Sequence, residues 1–294
     1  MWITNLFFWW LLRPGKIRRL NVGGLNRTYF VHVPKGYEPK KPMPVVLALH
    51  GALTNGPIMA SFSGLNRKAD EASFIVVYPN GTGKHLSFTW NGGNCCGSAM
   101  QSNVDDVAFM NALLDDLMGA YQVDPKRVFA TGMSNGAIMV YRLASELSDR
   151  IAAIAPVAGA LGIEIRHLKR PVPVLHFHGT KDEFIPFLGG KGSKSVSGTD
   201  FCSVEESIRA WLIANNCDEN PKIDVLSMSD DQFRVIRTTY GGGEDGAEVV
   251  LVAIEGGGHC WPGIKSPTSC LGNSTLNISA NDLMWEFFKK HPMQ

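Results

Sequence analysis

A glycine-flanked serine between a strand and a helix constrains the fold of this chain more than any other feature. Residues 132–136 read Gly-Met-Ser-Asn-Gly; they follow an apolar, β-rich run (127–131) and precede a helix-like run (137–147). A turn this tight raises the hydroxyl of Ser134 above the sheet edge, and the glycines on both sides relieve backbone crowding. The five-residue pattern also occurs in ordinary turns, but its place between strand and helix favours a nucleophilic serine.

A serine nucleophile needs a histidine base and a carboxylate that orients the base, and α/β-hydrolases place the carboxylate before the histidine in the chain. Asp182 comes just after a predicted buried strand (172–177), where open parallel sheets place their working residues. His259 comes after another buried strand (249–254) and three glycines that let its loop reach across to the serine. The predicted triad is therefore Ser134, Asp182 and His259.

Other titratable side chains compete for these roles. Glu183 is adjacent to Asp182 but is expected to point away from it. His176 and His178 alternate along one strand, so at least one of them is expected to be a packed or hydrogen-bonded core histidine. His50 closes an earlier strand and is interpreted as structural, because it shapes the loop that follows.

An acyl-transfer site also needs two backbone N–H groups directed at the developing oxyanion. The first is expected from Asn135, at the amino end of the helix that follows the serine, where the helix dipole adds to the effect. The second is expected from the loop after the strand at 45–50, with Ala52 as the first choice and Leu53 as the second. Leu53 is also a candidate substrate-binding residue.

The alternation of apolar strands with helical segments predicts an α/β fold, in which a mostly parallel central sheet is covered by helices on both faces. The candidate triad spans positions 134 to 259, so residues 21–294 are predicted to form a single catalytic domain, preceded by an apolar and basic segment (1–20). Asp105 and Asp106 are predicted to cap a helix. Further predicted strands are 28–33 at an edge, 45–50, 74–78 and 152–157, and predicted helices are 57–72, 104–121 and 280–290.

Charge and motif content limit the classes of partner. The net charge is +1 over 294 residues, whereas nucleic-acid binding depends on concentrated positive charge. No glycine-rich phosphate loop follows a strand, and no set of cysteines and histidines has the spacing of zinc ligands. We therefore expect no metal, no cofactor, no nucleic acid and no stable protein partner; the expected partner is an ester substrate.

Six motifs occur in order and with sensible spacing. They are His50-Gly51, Trp90…Cys95-Cys96-Gly97, Val104-Asp105-Asp106-Val107, the 132–136 pentapeptide, His178-Gly179-Thr180-Lys181-Asp182 and Gly257-Gly258-His259-Cys260-Trp261-Pro262-Gly263. From about residue 25 to the C-terminus the chain thus resembles the polyhydroxybutyrate depolymerase family esterases, which overlap the feruloyl and acetylxylan esterases of carbohydrate esterase family one. The Gly-Gly-His-x-Trp-Pro-Gly element is the most specific of the six.

This resemblance implies an α/β-hydrolase fold and a serine esterase with Ser134 as nucleophile, Asp182 as acid and His259 as base. It also implies that Trp90 and Trp261 are aromatic residues near the active site, where they are candidates for substrate binding; the alternative for either is that it fills core volume. One departure affects the expected disulfides, since many relatives carry a cysteine after His-Gly where this chain has alanine.

The six cysteines suit an oxidising compartment, and they allow fifteen connectivities. Adjacent Cys95 and Cys96 bond to each other only with strain. Cys202 and Cys217 flank a helical run of about 22 Å, at about 1.5 Å per residue, which exceeds the reach of a disulfide, about 7 Å. We predict that Cys95 or Cys96 bonds Cys260, and that the protein is secreted or periplasmic.

Two segments leave alternatives open. Residues 1–12 are apolar and aromatic and precede a basic stretch, but as a helix they would span about 18 Å, short of a bilayer core of about 30 Å. With no basic start and no small-residue cleavage site, we expect this segment to be a clipped signal or a mis-chosen start, with an interfacial anchor as the alternative. Residues 183–201 are rich in glycine and serine, and form either a wall or flap over the acyl pocket or a surface insertion.

The predicted function is two-step ester hydrolysis through an acyl-enzyme. A feruloyl or acetyl ester of plant polysaccharide is the first choice of substrate, and polyhydroxybutyrate or a related polyester is the second. A peptidase with the same triad is a more distant enzyme class. The non-enzymatic alternative is a catalytically silent carbohydrate-binding protein that uses Trp90 and Trp261 on sugar rings.

Overall fold

The most continuously apolar strands of the sequence lie in the middle of a ten-stranded sheet in the computed structural model, which describes residues 16–85, 87–166, 168–228 and 233–294. β3, β4, β8 and β9 are buried along their whole length, as strands covered on both faces must be. The strands are β1 Lys16–Val22, β2 Leu25–His32, β3 Met43–Leu49, β4 Ile75–Pro79, β5 Thr82–Lys84, β6 Ser87–Thr89, β7 Val123–Met133, β8 Ala153–Val157, β9 Val174–Gly179, β10 Lys222–Met228, β11 Arg234–Tyr240 and β12 Val249–Glu255.

The sheet has a parallel centre and antiparallel margins. Its strand order is β1-β2-β4-β3-β7-β8-β9-β12-β11-β10, and β5 and β6 form a separate hairpin. The six strands from β4 to β12 in this order are parallel, whereas β2 and β11 join the centre antiparallel. The carboxyl ends of the parallel strands therefore meet at one edge, where the candidate site residues follow β7, β9 and β12.

Helices cover both faces of the sheet, because side chains of the central strands alternate between two cores. In β3, Val45, Leu47 and Leu49 face one core and Val46 and Ala48 face the other. The first core includes apolar side chains of Asp106–Ala120, Asn135–Glu146 and Val204–Ala214; the second includes those of Gly56–Ser63, Leu65–Ala72 and Ala280–Lys290. The predicted α/β fold with helices on both faces is confirmed.

The first strand corrects the predicted margin of the sheet. β1 pairs antiparallel with β2 through a two-residue turn, Gly23-Gly24, which is typical of tight hairpins. The strand predicted at 28–33 is therefore not at the edge, because β1 and β4 flank it. β1 spans the boundary predicted between residues 20 and 21, and within the described residues the sheet begins at Lys16. Residues 1–15 of the predicted N-terminal segment lie outside the described residues.

The predicted helix at 57–72 is two helices, Gly56–Ser63 and Leu65–Ala72, which meet at Gly64. Asp105 caps the helix Asp106–Ala120 as predicted, since its carboxylate accepts the N–H of Ala108 at 2.8 Å. Among the helices of the described residues, none is long and apolar enough to cross a bilayer.

Asp106 does not serve as a cap. Its side chain is fully buried, and its two carboxylate oxygens accept hydrogen bonds from Arg27 at 2.7 Å and from the N–H of Asn91 at 2.8 Å. The guanidinium of Arg27 lies 3.9 Å from the ring centroid of Phe109. Asp106 therefore joins the first helix-covered core to the loop that carries Trp90, a role that helix position alone does not reveal.

The cysteines do not pair as predicted. Cys95 and Cys96 form a disulfide with each other, and Cys260 is a free thiol. The sulfur of Cys260 lies 3.4 Å from the carbonyl oxygens of Leu271 and Gly272, so backbone rather than a second sulfur faces it. The predicted bond from Cys95 or Cys96 to Cys260 is therefore wrong, because chain position does not determine the direction in which a thiol points. The other free cysteines are Cys202, Cys217 and Cys270.

Candidate active site

Ser134 occupies the single residue between β7 and the helix Asn135–Glu146. Its φ is +59° and its ψ is −125°, a backbone conformation that is rare for a residue with a side chain. The N–H of Ser134 donates to the carbonyl of Val157 at 3.0 Å, which fixes the turn to the end of β8. Strained conformations of this kind persist where the surrounding structure enforces them, and they are concentrated at active sites.

The glycine after the serine is required by close packing of the turn. A Cβ on Gly136 would lie 2.5 Å from the carbonyl oxygen of His50, and closer still to that of Leu49. The first turn of the helix therefore rests directly on the backbone at the end of β3. This contact places Ser134 next to the loop that begins at Gly51, where a Cβ would lie 3.4 Å from the Cβ of Ser134.

Asp182 lies in the turn that follows β9, and both oxygens of its carboxylate accept hydrogen bonds. One oxygen, Oδ1, accepts the N–H groups of Phe184 at 2.8 Å and Ile185 at 2.9 Å. The other, Oδ2, accepts from Nδ1 of His259 at 2.7 Å. Asp182 and His259 are both buried, at 5% and 4% exposed. The sequence-predicted acid and base are thus in direct contact, 77 residues apart in the chain.

The electrostatics of this contact favour the ionised carboxylate. Burial by itself would raise the pKa of Asp182, but the nearby His259 and hydrogen bonds from His178 and His259 outweigh it and hold that pKa below the usual range of an aspartate. An ionised Asp182 only accepts hydrogen bonds, so Nδ1 of His259 carries the hydrogen in this contact.

The loop that carries His259 is tied to the loop that carries Asp182. The N–H of Lys181 donates to the carbonyl of Gly257 at 2.8 Å, which joins the two loops. The N–H of His259 donates to the carbonyl of Leu271 at 2.7 Å, which holds the histidine loop from its other side. The approach is so close that a Cβ on Gly179 would lie 2.5 Å from the carbonyl carbon of Gly257. A side chain at position 179 would therefore separate the two loops.

Ser134 and His259 line the same cavity, which has a volume of about 320 Å³. Its walls are predominantly apolar, and Phe184 stacks on the ring of His259 with ring centroids 4.9 Å apart. Phe184 and Val196 bring the segment 183–201 into the wall, which answers the open question about that segment. The lining residues are 51–54, Ile58, Phe62, 133–134, Phe184, Val196, 259–261, 264–267 and Leu271.

The two candidates for the second oxyanion donor differ in their backbone contacts. Ala52 and Leu53 both line the cavity beside Ser134. The N–H of Leu53, however, already donates to the carbonyl of Phe88 at 2.8 Å. Leu53 as a donor is therefore wrong, and Ala52 stays the candidate together with Asn135, whose N–H begins the helix after the serine. The side chain of Leu53 is 57% exposed at the cavity, which suits its predicted substrate contact.

Trp90 does not reach the cavity, contrary to the substrate-binding role predicted for it. Its side chain is fully buried, and its indole N–H donates to the carbonyl of His50 at 3.0 Å. The amide side chain of Asn135 clasps the Trp90 backbone from both sides, accepting its N–H at 2.7 Å and donating to its carbonyl at 3.0 Å. Trp90 is therefore a structural residue that holds Asn135, next to Ser134, and the backbone of His50 in place. Trp261 lines the cavity, although it is only 2% exposed.

His50 has the structural role that its position indicates. Its Nδ1 donates to the carbonyl of Gly51 at 2.8 Å, and its Nε2 accepts the N–H of Gly81 at 3.0 Å. Burial lowers the pKa of His50 from its usual 6.5 to about 4, so the ring is neutral near pH 7. His50 thereby fixes the start of the loop that carries Ala52.

Sequence reasoning missed Phe184, although it lies two residues after the candidate acid and is aromatic. It also missed the clasp made by the Asn135 side chain, for which the sequence gives no signal. The site thus places a serine at the sheet edge, a histidine in contact with a buried carboxylate, and backbone N–H groups at the start of a helix around one cavity. Such a set can take a proton from the serine hydroxyl and stabilise an oxyanion beside it.

Comparison with known proteins identifies the family. The family model described as "Esterase PHB depolymerase" matches residues 27–176. The chain is 31% identical to "Putative esterase NocK" of Nocardia uniformis subsp. tsuyamanensis, across 92% of this chain and 81% of that protein. It is 30% identical to "Feruloyl esterase B" of Piromyces equi across 79% of this chain, but this match spans only 42% of the relative.

The solved structures agree on the architecture. The acetyl xylan esterase from Aspergillus awamori superposes with a TM-score of 0.61 over 94% of this chain and 99% of that one, at 15% sequence identity. At this identity the likeness establishes the α/β-hydrolase fold, and the sequence matches establish the family. The chain therefore belongs to the esterase PHB depolymerase family, as a serine carboxylic ester hydrolase.

Proposed function

We propose that Ser134 is the nucleophile of this esterase, His259 its general base and Asp182 the residue that orients the base. In the first step His259 takes the proton of Ser134 as the hydroxyl attacks the ester carbonyl, and the N–H groups of Ala52 and Asn135 bind the oxyanion. His259 then protonates the leaving alcohol. In the second step His259 takes a proton from water as the water attacks the acyl-enzyme, and it returns that proton to Oγ of Ser134 as the bond to the serine breaks and the acid is released.

The contact between Asp182 and His259 carries this proposal. The two side chains come from different loops, lie 2.7 Å apart and are buried, and the histidine borders the same cavity as Ser134. A buried, ionised carboxylate on Nδ1 stabilises the imidazolium that forms when His259 takes up a proton. A histidine that served only packing would be enclosed by other side chains, whereas His259 lines a cavity beside the strained Ser134.

For the substrate, we propose an ester with an aromatic acyl group, of the feruloyl type found on plant polysaccharides. The cavity is lined by Phe62, Phe184 and Trp261, and its volume of about 320 Å³ far exceeds what an acetyl group fills. Apolar and aromatic walls bind a flat acyl group by burying its surface. Two relatives support this assignment by name, since they are feruloyl esterases of Piromyces equi and Emericella nidulans. Acetyl esters would enter the same site with fewer contacts.

Polyester cleavage is the second candidate. It is favoured by large apolar side chains that stay exposed at the cavity, namely Leu53 at 57% and Val196 at 82%. Such a rim suits a water-insoluble chain better than a hydrated sugar. The silent carbohydrate-binding alternative loses its basis, because Trp90 and Trp261 are 0% and 2% exposed and cannot stack on sugar rings at the surface.

The decisive test of the mechanism is Ser134→Ala. We expect hydrolysis of 4-nitrophenyl acetate to fall by about 10⁴-fold or more while the far-UV circular dichroism spectrum is unchanged. A fluorophosphonate probe should label the wild type at Ser134 and leave the variant unlabelled. Hydrolysis by the variant at the wild-type rate would refute the proposal.

Turnover of methyl ferulate and of a hydroxybutyrate trimer, measured side by side, tests the substrate. A kcat/KM at least tenfold higher for methyl ferulate supports the aromatic acyl group, and the reverse order supports the polyester. We also propose a secreted or periplasmic location, which the Cys95–Cys96 disulfide supports. Thiol counting on protein purified without reductant and then denatured should find four free cysteines. A count of six would contradict the disulfide and the proposed location.

A further inference from the structure

Three buried side chains behind the candidate acid form a continuous chain of hydrogen bonds. The hydroxyl of Tyr141 lies 2.6 Å from Nδ1 of His176, and Nε2 of His176 lies 2.9 Å from Nδ1 of His178. At the far end, Nε2 of His178 lies 2.9 Å from the carbonyl oxygen of Ile185 and 3.4 Å from Oδ2 of Asp182. None of the three side chains borders the cavity, and each is at most 1% exposed.

With a neutral His178 ring, the acceptor at the end of this hydrogen-bond network sets the direction of each hydrogen bond in it. The carbonyl of Ile185 only accepts, so Nε2 of His178 carries a hydrogen. In a neutral His178 ring, Nδ1 then accepts from Nε2 of His176, and Nδ1 of His176 accepts from the Tyr141 hydroxyl. Burial lowers the pKa of His176 well below its ordinary value and raises that of Tyr141, which keeps the first neutral and the second protonated.

The His178 end of this hydrogen-bond network contacts both the Ile185 backbone and the Asp182 carboxylate. Ile185 donates its N–H to Oδ1 of Asp182 at 2.9 Å and accepts from His178 through its carbonyl. Nε2 of His178 also lies 3.4 Å from Oδ2, the oxygen that accepts from His259. Stacked rings hold this geometry, with centroids 5.8 Å apart for Tyr141 and His176 and 5.2 Å for His176 and His178.

We propose that His178 is a positioning residue for Asp182, with its tautomer set by the Ile185 carbonyl and its ring held in place by His176 and Tyr141. Its Nε2–H holds the Ile185 backbone and limits rotation of the carboxylate, so that Oδ2 stays directed at Nδ1 of His259. The inference rests on the proposed function, since it assigns His178 a role only if Asp182 orients the base. His178 touches no substrate, and its effect passes through the carboxylate.

The test compares His178→Phe with His178→Gln. Phenylalanine keeps the stacked volume but has no N–H, whereas the glutamine amide can donate to Ile185 and Asp182 and accept from His176. We expect His178→Phe to lower kcat for 4-nitrophenyl acetate by about 10- to 100-fold with KM changed less than about twofold, because a small misplacement of a catalytic group costs this much. His178→Gln should recover most of the loss.

A spectroscopic readout separates positioning from loss of stability. The hydrogen between His259 and Asp182 should give a strongly downfield proton NMR signal in the wild type, broadened or absent in His178→Phe and present in His178→Gln. Should His178→Phe not fold, Tyr141→Phe replaces it; this variant removes one hydroxyl and should lower kcat severalfold and shift the same signal. Wild-type kcat and an unshifted signal in the tested variants would overturn the inference.

The outcome for Ser134→Ala keeps this inference distinct from the proposed function. If Ser134→Ala is inactive and the variants at 178 and 141 behave as wild type, only the positioning role of His178 fails. If Ser134→Ala stays active, the triad itself fails, and the inference falls with it. If Ser134→Ala is inactive, and His178→Gln keeps most of the activity that His178→Phe loses, then both the proposed triad and the positioning role of His178 are supported.

Discussion

Adding one methyl group at Gly136 should damage both stability and activity, because the glycine touches the backbone at the end of β3. The new Cβ would lie 2.5 Å from the carbonyl oxygen of His50, and closer to that of Leu49. Ordinary van der Waals contact at this position needs about 3.4 Å, so the helix and β3 must separate by about 1 Å. Neither contact is with the end of a flexible side chain that could move away.

The magnitude follows from two opposing effects. Alanine in place of glycine inside a helix is worth about 1 kcal/mol of stability. Overpacking of a rigid interior costs about 1–3 kcal/mol, and here the crowded atoms are backbone. We therefore expect Gly136→Ala to destabilise the protein by up to about 2 kcal/mol net. A shift of about 1 Å between Ser134 and the loop that carries Ala52 should lower kcat/KM by on the order of 100-fold.

Gly119→Ala is the matched control. Gly119 lies in the helix Asp106–Ala120, and a Cβ there would meet nothing within 4 Å. The control should therefore gain up to about 1 kcal/mol from helix propensity and keep wild-type activity. Urea unfolding followed by circular dichroism gives the stabilities, and hydrolysis of 4-nitrophenyl acetate gives kcat/KM. The reasoning is refuted if Gly136→Ala is as stable as Gly119→Ala and hydrolyses the ester at the wild-type rate.

Three further changes test other parts of the structure. Burial lowers the pKa of His50 from 6.5 to about 4. As the pH falls, the unfolded chain therefore takes up a proton on His50 before the folded chain does, and this favours unfolding. At about 1.36 kcal/mol per pKa unit, about 3 kcal/mol of stability should be lost between pH 7 and pH 4. His50→Asn should lack this component in urea titrations, and identical pH slopes would contradict it. Asp106→Asn should cost about 3–5 kcal/mol by urea unfolding, because it leaves the buried charge of Arg27 unpaired, and a loss below about 1 kcal/mol would contradict the burial argument. Phe184→Ala should lower kcat/KM by about 2- to 12-fold for methyl ferulate, equivalent to a lost aromatic contact of about 0.5–1.5 kcal/mol, and less for an acetate ester; equal losses would argue against an aromatic acyl site.

The sequence predicted those features that depend on local pattern and chain order. Continuous apolar runs gave the central strands, and the G-x-S-x-G turn after one of them located the candidate nucleophile at residue 134. Asp182 and His259 were predictable because each follows a strand of a parallel sheet, and the carboxyl ends of such strands share one edge. The chemistry of a serine site then required an acid and a base at that edge, in this order.

Residues whose role depends on the direction of a side chain could not be predicted in this way. Trp90 and Trp261 both belong to glycine- and cysteine-rich motif segments, yet one is a buried scaffold and the other borders the cavity. Asp105 and Asp106 are adjacent carboxylates at one helix start, yet one caps the helix and the other pairs with Arg27. In both cases the neighbours that decide the role are distant in the chain.

The sequence by itself thus determined the α/β architecture, the order of the candidate triad and the class of chemistry, because periodicity, turns and motif spacing are properties of neighbouring residues. Tertiary structure alone decided which aromatic rings wall the cavity, which thiols pair and how the Tyr141–His176–His178 chain reaches Asp182. Those contacts are set by packing and by the need to satisfy buried polar groups among segments far apart in the chain. Such energies belong to pairs of residues that only the folded chain brings together.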